Sequence, residues 1–303
     1  MSAPTKNDHG PADGTVVTPA VLRDWALPSP EGGSKTARGT ALVVGGSRGT
    51  PGALLLAGVA ALRAGAGVLQ IGAPASIATA LGISVPESLT LPLPESPAGC
   101  VAATAVDDLA DVLPTADAVL VGPGLFDDEA SLQTLVAAVL ARVGDDATVV
   151  LDGYALRGLG PGTVATLGGR LVVTPNKGEA AALLAGVDGA PDPAEEGAAA
   201  AAAVADRYGA VVALGGAVTT PGGRRWVDGS GHAGLGTSGS GDVLAGLVVG
   251  LLARGATPAQ AACWATHVHA SAGERLGTRI SHVGFLAREL LDEAPLVLAE
   301  LTG

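Results

Sequence analysis

A short apolar run, a glycine-rich turn and a longer Ala/Leu-rich segment recur in that order along most of this 303-residue chain. Ala41-Leu42-Val43-Val44 leads into Gly45 to Gly52 and then Ala53 to Ala64. Ala118-Val119-Leu120-Val121 leads into Gly122-Pro123-Gly124 and then Ser131 to Val143. Leu171-Val172-Val173 leads into Thr174-Pro175-Asn176-Lys177-Gly178-Glu179 and then Ala180 to Ala185. Val68 to Ile71, Thr148 to Leu151 and Ala210 to Leu214 read as further strands, with Arg224 to Val227 as a short hairpin strand. Strands that are apolar throughout, instead of alternating, are covered on both faces, and their alternation with helices makes a sheet mostly parallel. The expected fold class is therefore α/β, a mostly parallel central sheet with helices on both faces. Ligands of such sheets sit at the carboxyl ends of the strands, so the turns above should converge on one rim.

Composition limits what fills the layers and what the surface can bind. Hydrophobic residues make up 48% of the chain but aromatics only 2%, so the core must be Ala, Val and Leu, with Gly where elements approach closely. No apolar stretch of about 20 residues runs free of Gly, Arg or Pro, which argues against a transmembrane span. Met1 to Gly14 is polar and lacks the apolar core of a secretory signal. Cys100 and Cys263 make no disulfide framework and fit a reducing cytoplasm. Net charge is −12 and the 17 Lys and Arg residues are scattered, which argues against nucleic acid or an anionic membrane as partner. An acidic protein can still hold a nucleotide through backbone amides. Residues 1–34 are expected to form a flexible segment, apart from one amphipathic piece at Val21 to Leu27. With no Pro/Ser linker further on, residues 35–303 read as one domain.

The chemistry concentrates at Gly234-Leu235-Gly236-Thr237-Ser238-Gly239-Ser240-Gly241-Asp242, which feeds straight into the apolar run Val243 to Leu252. A glycine-rich turn exposes backbone N–H groups, and a helix start adds its unpaired donors and positive dipole end. The junction is built to hold an anion. A carboxylate there repels that anion unless it has a task, and the task available is accepting a proton from a hydroxyl that attacks phosphorus. The plainer reading makes Asp242 a helix N-cap.

Other tempting motifs are weaker. The Gly45 to Gly52 loop has neither the G-x-G-x-x-G spacing nor the Gly-Lys-Ser/Thr ending of a P-loop, and reads as a pocket wall. Asp152 ends a strand on the ligand rim, where it could bond a hydroxyl or be merely structural. His267 and His269 point about 200° apart on a helix and cannot share a metal; Cys263 and His267 could, but lack a third ligand. No G-x-S-x-G elbow supports a serine triad. Asp192-Pro193-Ala194-Glu195 and Thr257-Pro258-Ala259-Gln260 read as capping boxes that open helices.

Taken in order, these segments resemble a known family. Thr237 to Asp242 resembles the G-x-G-D signature of ribokinase-like enzymes. Gly45-Gly46-Ser47, Gly52-Ala53, Ala61 to Gly67, Val121 to Leu125, Thr174-Pro175 with Glu179, and Gly236 to Gly246 are similar to ADP-dependent NAD(P)H-hydrate dehydratases, over roughly Lys35 to Leu290. The resemblance implies a ribokinase-like three-layer α/β/α fold and a repair reaction. ADP, with Mg²⁺, phosphorylates the 6-hydroxyl of hydrated NADH or NADPH, and phosphate then leaves to restore the double bond. It implies Asp242 as base and Gly239, Ser240 and Gly241 as the anion hole. It places Ala53, Gly124, Asn176 and Asp242 against the hydrate, and Gly215, Gly216, Ala217, Val218, Thr219 and Gly241 around the nucleotide. It also implies a homo-oligomer, a tetramer, in the cytoplasm.

Three departures from the family pattern stand out. Asn176 replaces the usual His, keeping hydrogen bonding but excluding proton transfer. Gly215 replaces the usual Lys, leaving Lys177 or Arg48 to supply a cation. Asp152 is followed by Gly153-Tyr154-Ala155-Leu156 where Ala-Asp-Ala-Leu is usual. The rival readings are a small-molecule kinase of the hydroxymethylpyrimidine or sugar type, distinguished by a stable phosphorylated alcohol as product, and a nucleotide-binding protein without turnover.

Overall fold

The computed structural model describes residues 13–29, 34–160 and 167–303. Their ten strands are β1 (Thr15–Val16), β2 (Thr40–Val44), β3 (Val68–Pro74), β4 (Ser88–Leu93), β5 (Ala118–Val121), β6 (Thr148–Leu151), β7 (Leu171–Val173), β8 (Val211–Leu214), β9 (Ala217–Thr219) and β10 (Arg225–Val227). They form one sheet in the order β1-β10-β9-β8-β7-β6-β5-β2-β3-β4. The run from β8 to β4 is parallel throughout, and β9 is antiparallel to both of its neighbours. The helices are α1 (Pro19–Asp24), α2 (Pro51–Arg63), α3 (Ala75–Ser84), α4 (Glu129–Leu140), α5 (Lys177–Leu183), α6 (Gly197–Tyr208), α7 (Ser240–Ala253), α8 (Pro258–Arg279) and α9 (Ala287–Thr302).

Because side chains alternate along a strand, each apolar strand feeds two cores. Val43, Ile71, Leu120, Val150 and Val172 face a layer containing α1, α2, α7, α8 and α9. Leu42, Val44, Val119, Val149 and Val173 face the layer of α4, α5 and α6. The first layer is thin where α2 meets α7. A Cβ on Gly246 would stand 2.3 Å from the Ala57 carbonyl oxygen, and one on Gly250 would stand 2.4 Å from that of Ala61. The two backbones are in direct contact, which glycine and alanine alone permit.

Residues 1–12 and 30–33 of the expected flexible segment lie outside the described residues. The stretch between them does not behave as a loose leader. β1 pairs with β10, Leu22 is fully buried, and Trp25 stacks on Trp226 with ring centroids 5.6 Å apart. The Trp25 carbonyl also accepts bonds from Trp264 Nε1 (3.0 Å) and Gln260 Nε2 (3.1 Å). Gln260 is thereby drawn out of the expected capping box, although Thr257 still caps α8. Asp192-Pro193-Ala194-Glu195 does not open α6. Asp192 closes a turn by accepting from Ala194 N–H at 2.9 Å, and the helix begins later, at Gly197.

Gly246→Ala gains about 1 kcal/mol of helix propensity but drives a methyl into the Ala57 carbonyl. The variant should lose at least about 2 kcal/mol in denaturant unfolding; an unchanged or raised midpoint would show that α2 and α7 are not in contact.

Candidate active site at the strand ends

The rim is assembled by short bonds between successive turns. Gly46 N–H donates to the Pro123 carbonyl (2.7 Å), and Thr50 Oγ1 donates to the Gly124 carbonyl (2.6 Å). Ser47 Oγ lies 2.6 Å from Thr50 Oγ1. These bonds bring Gly124 against Ala53, so that a Cβ on Gly124 would be 3.1 Å from that of Ala53. Two of the residues expected to meet the hydrate are thus neighbours across the β2 and β5 turns.

The glycine-rich junction ends on Gly239, whose φ of +87° makes it the N-cap of α7. Asp242 is then the third helical residue, not the cap, which removes the plainer reading of this carboxylate. Its Oδ2 is 3.8 Å from where a Gly239 Cβ would be, and among the described residues it accepts no hydrogen bond. The Ser240 N–H donates to the Thr237 carbonyl at 3.2 Å. The N–H groups of Gly239, Gly241 and Asp242 have no acceptor among the described residues. The open donors of the turn are therefore these three, with that of Ser240 already engaged.

Three carboxylates face one another here. Burial, reinforced by the Glu179 charge, pushes the Asp242 pKa up to about 6. Burial also raises Asp152 to about 7, against the 2.7 Å bond from Thr174 Oγ1 and with the Asp242 and Glu179 charges adding to the rise. Glu179 is raised too, chiefly by burial, while its bond from Asn176 N–H and the Arg157 charge oppose the rise. Glu179 and Asn176 form a capping box on α5, with Asn176 Oδ1 accepting from Glu179 N–H at 2.9 Å and Glu179 Oε2 from Asn176 N–H at 2.8 Å. The Asn176 acceptor is thus occupied, and its side-chain N–H₂ points no bond at any described residue. Beside Asn176 and Glu179 opens a cavity of about 730 Å³ that is also lined by Arg157 and Leu183.

The nucleotide candidates divide. Gly215, exposed, and Gly216, half-buried, form the β8–β9 turn, with φ of +56° and +87°. Ala217, Val218 and Thr219 are strand β9 itself, buried and hydrogen-bonded into the sheet. Gly215 and Ala217 line a cavity of about 270 Å³ together with Lys177. Lys177 Nζ donates to the Ala194 carbonyl at 3.1 Å and meets no carboxylate among the described residues. Arg48 is instead paired with Glu95 at 2.6 Å. Of the two substitute cations suggested by sequence, Lys177 is therefore the one placed beside Gly215.

Sequence reasoning missed what α8 does. Its two histidines do diverge, and each anchors one part of the rim. His269 Nε2 lies 2.9 Å from Ser240 Oγ and 3.0 Å from the Ser240 carbonyl; the carbonyl can only accept, so this nitrogen carries the proton. Burial lowers the His269 pKa to about 4, which keeps the ring neutral. His267 Nδ1 lies 2.6 Å from Asp228 Oδ2, and Asp228 N–H donates to the Gly216 carbonyl at 2.8 Å. Burial pushes Asp228 upward, but the bonds from His267 and from Ser230 outweigh it and hold the carboxyl below its usual range. No three His, Cys, Asp or Glu side chains converge as a metal cage among the described residues. No described helix is long and apolar enough to cross a membrane.

A family model described as NAD(P)H-hydrate dehydratase matches residues 41–296. The chain belongs to that family. It is 47% identical to the ADP-dependent (S)-NAD(P)H-hydrate dehydratase of Xanthomonas campestris pv. campestris, over 94% of this chain and 96% of that one. It is 38% identical to a bifunctional NAD(P)H-hydrate repair enzyme of Moorella thermoacetica, of which it spans 51%. Among solved structures, the Bacillus subtilis ADP/ATP-dependent NAD(P)H-hydrate dehydratase co-crystallised with ATP/Mg²⁺ superposes with a TM-score of 0.77 at 28% identity, over 95% of this chain and 99% of that one. A ribokinase-like superfamily protein of Enterococcus faecalis superposes at 0.80 with 22% identity, covering 95% and 96% of the two chains, so the fold is ribokinase-like.

The raised Asp152 has a consequence for stability. The folded protein binds the Asp152 proton more tightly than the unfolded chain, so this contribution is full below about pH 4 and lost as pH rises to about 7. Asp152→Asn keeps an acceptor for Thr174 without the charge. The variant should exceed the wild type in stability at pH 8 by about 1–3 kcal/mol and lose that advantage near pH 4, read from urea midpoints; an equal deficit at both pH values would contradict the shift.

Proposed function

We propose that this chain restores NADH and NADPH from their 6-hydroxylated, inactive hydrates, using ADP as the phosphoryl donor. The observation that carries the reading is Asp242, raised by burial to about 6, beside the amides of an α7 N-terminus, with neither the carboxylate nor these amides bonded to any described residue. A general base works best when its pKa lies near the working pH, and amides aimed at one point stabilise charge that builds on phosphorus in flight.

In this reading Asp242 takes the proton of the 6-hydroxyl as its oxygen attacks the β-phosphorus of ADP, and AMP departs. The new phosphate ester is a good leaving group where hydroxide is a poor one. Loss of phosphate, with the neighbouring ring proton, restores the double bond. The amides of Gly239, Gly241 and Asp242 receive the transferring phosphoryl group, while His269 holds Ser240, and with it the turn, in place. The hydrate lies against Ala53 and Gly124, with the Asn176 side-chain N–H₂ as a donor. The nucleotide lies on the Gly215–Gly216 turn, where Lys177 supplies a cation to its phosphates. Mg²⁺ would accompany the nucleotide phosphates and offset their charge, while among the described residues no three His, Cys, Asp or Glu side chains converge to hold it. With Cys100 and Cys263 both free and buried, the reducing cytoplasm is the proposed compartment.

Asp242→Asn should lower turnover of NADH hydrate by about 10²- to 10⁴-fold while leaving the Kd for ADP within a few-fold, and the wild-type kcat/KM should rise with pH through about 6 as Asp242 ionises. Recovery of absorbance by reduced nicotinamide reads both. Full activity in the variant would remove Asp242 from the role of base.

A further inference from the structure

The described aromatic side chains are few, and most are in the cores, but one ring stands out on the rim. Phe126 is 62% exposed, two residues beyond Gly124. It is not a loose side chain on a loose loop. Cys100 Sγ lies 2.9 Å from the Phe126 carbonyl and 3.2 Å from its N–H, so the backbone on both sides of the ring is pinned by a buried residue. The ring itself stands edge-on to Tyr154, with centroids 5.0 Å apart at 60°, and the Arg157 guanidinium covers Tyr154 at 4.4 Å from its centroid. Phe126 therefore sits in a fixed aromatic and cationic cluster, at the ends of β5 and β6, with one side left to solvent. What sets Phe126 apart from the other exposed apolar side chains is that its ring is fixed, and a rigid aromatic face is a general receptor for flat heteroaromatic rings.

We propose that Phe126, positioned by Tyr154, is the stacking platform for the adenine of the dinucleotide substrate. The sheet order decides between the two adenines that the reaction brings. The Gly215–Gly216 turn follows β8, and three inter-strand steps separate β8 from β5, about 14 Å at about 4.8 Å each. Phe126 lies at the β5 end, next to Gly124 and Ala53, on the side where the hydrate is placed. Arg157, which covers Tyr154, and Glu129 at the start of α4 also line the cavity of about 730 Å³ that runs on to Asn176 and Glu179, space into which the half of the substrate that does not react can extend. The inference rests on the proposed activity and extends it to the part of the substrate remote from Asp242.

Because Phe126 is exposed, Phe126→Ala should fold as the wild type does. The test compares hydrates of NADH and of the reduced nicotinamide mononucleotide, which lacks the adenosine half, in the wild type, Phe126→Ala and Phe126→Trp. Phe126→Ala should raise the KM for NADH hydrate about tenfold with kcat and the KM for ADP within twofold, and should not alter kcat/KM for the mononucleotide hydrate. Phe126→Trp should restore the wild-type KM. The product supplies a readout free of turnover: the Kd for NADH, from its fluorescence, should weaken about tenfold in Phe126→Ala. Equal losses on the two hydrates, or a rise confined to the KM for ADP, would overturn the assignment. A wild type that binds NADH through Phe126 yet leaves the hydrate unchanged would overturn the proposed activity and not the platform.

Discussion

Contact between the backbones of α2 and α7 is the constraint on which the site depends. Gly246 and Gly250 lie one turn apart and face Ala57 and Ala61, so the two helices touch along a seam that holds nothing larger than the methyl groups of alanines such as Ala60 and Ala64. Both helices begin at the rim, α2 with Ala53 in its first turn and α7 with Asp242 in its own. Side chains of ordinary size at the seam would hold helix axes about 8–10 Å apart and carry the two N-termini away from each other. The seam therefore sets the distance between Ala53 at the start of α2 and the open amides at the start of α7, the two ends of the proposed site. It also explains why a core so poor in aromatic residues is suited to this protein: small residues permit the close approach, and the large rings are used at the edges, where Trp25 and Trp226 close the sheet beside β1.

Electrostatics at the rim follow from the same compactness. Asp152, Glu179 and Asp242 are drawn together at the ends of the central strands, where burial disfavours their charged forms. Asp152 answers by bonding Thr174 and Glu179 by capping α5, while Asp242 accepts no hydrogen bond among the described residues. Under the proposed mechanism an anion at α7 would be held against these charges by the α7 amides and Lys177. The helix α8 ties the arrangement down from behind, one histidine to Ser240 and the other to Asp228.

The central strands were legible because β2 and β5 to β8 are buried on both faces and so read as unbroken apolar runs. β4 was not, since it is the edge strand, only partly covered, and carries Pro92. Asp242 could be singled out because a carboxylate after a glycine-rich turn is conspicuous, but its raised pKa comes first from burial and then from the Glu179 charge, both supplied only by the fold. The start of α6 was misplaced because Asp192-Pro193 carries the signal of a helix cap and spends it on a turn. Gln260 looked like half of a capping box, yet a buried carbonyl of Trp25 competes for its amide more effectively than a solvent-exposed helix end. Phe126 and Tyr154 become a pair only once β5 and β6 lie side by side, although an aromatic residue just past Gly-Pro-Gly was visible in the chain.

The central claim is geometric: the open amides at the start of α7 receive the phosphoryl group and Asp242 stands next to it. A crystal structure of the ADP complex tests it most directly. The account predicts the β-phosphate within about 3 Å of the Gly239 and Gly241 nitrogens, with the Asp242 carboxylate turned toward the same point. A β-phosphate bound elsewhere on the rim, or an Asp242 side chain directed away from it, would contradict the account.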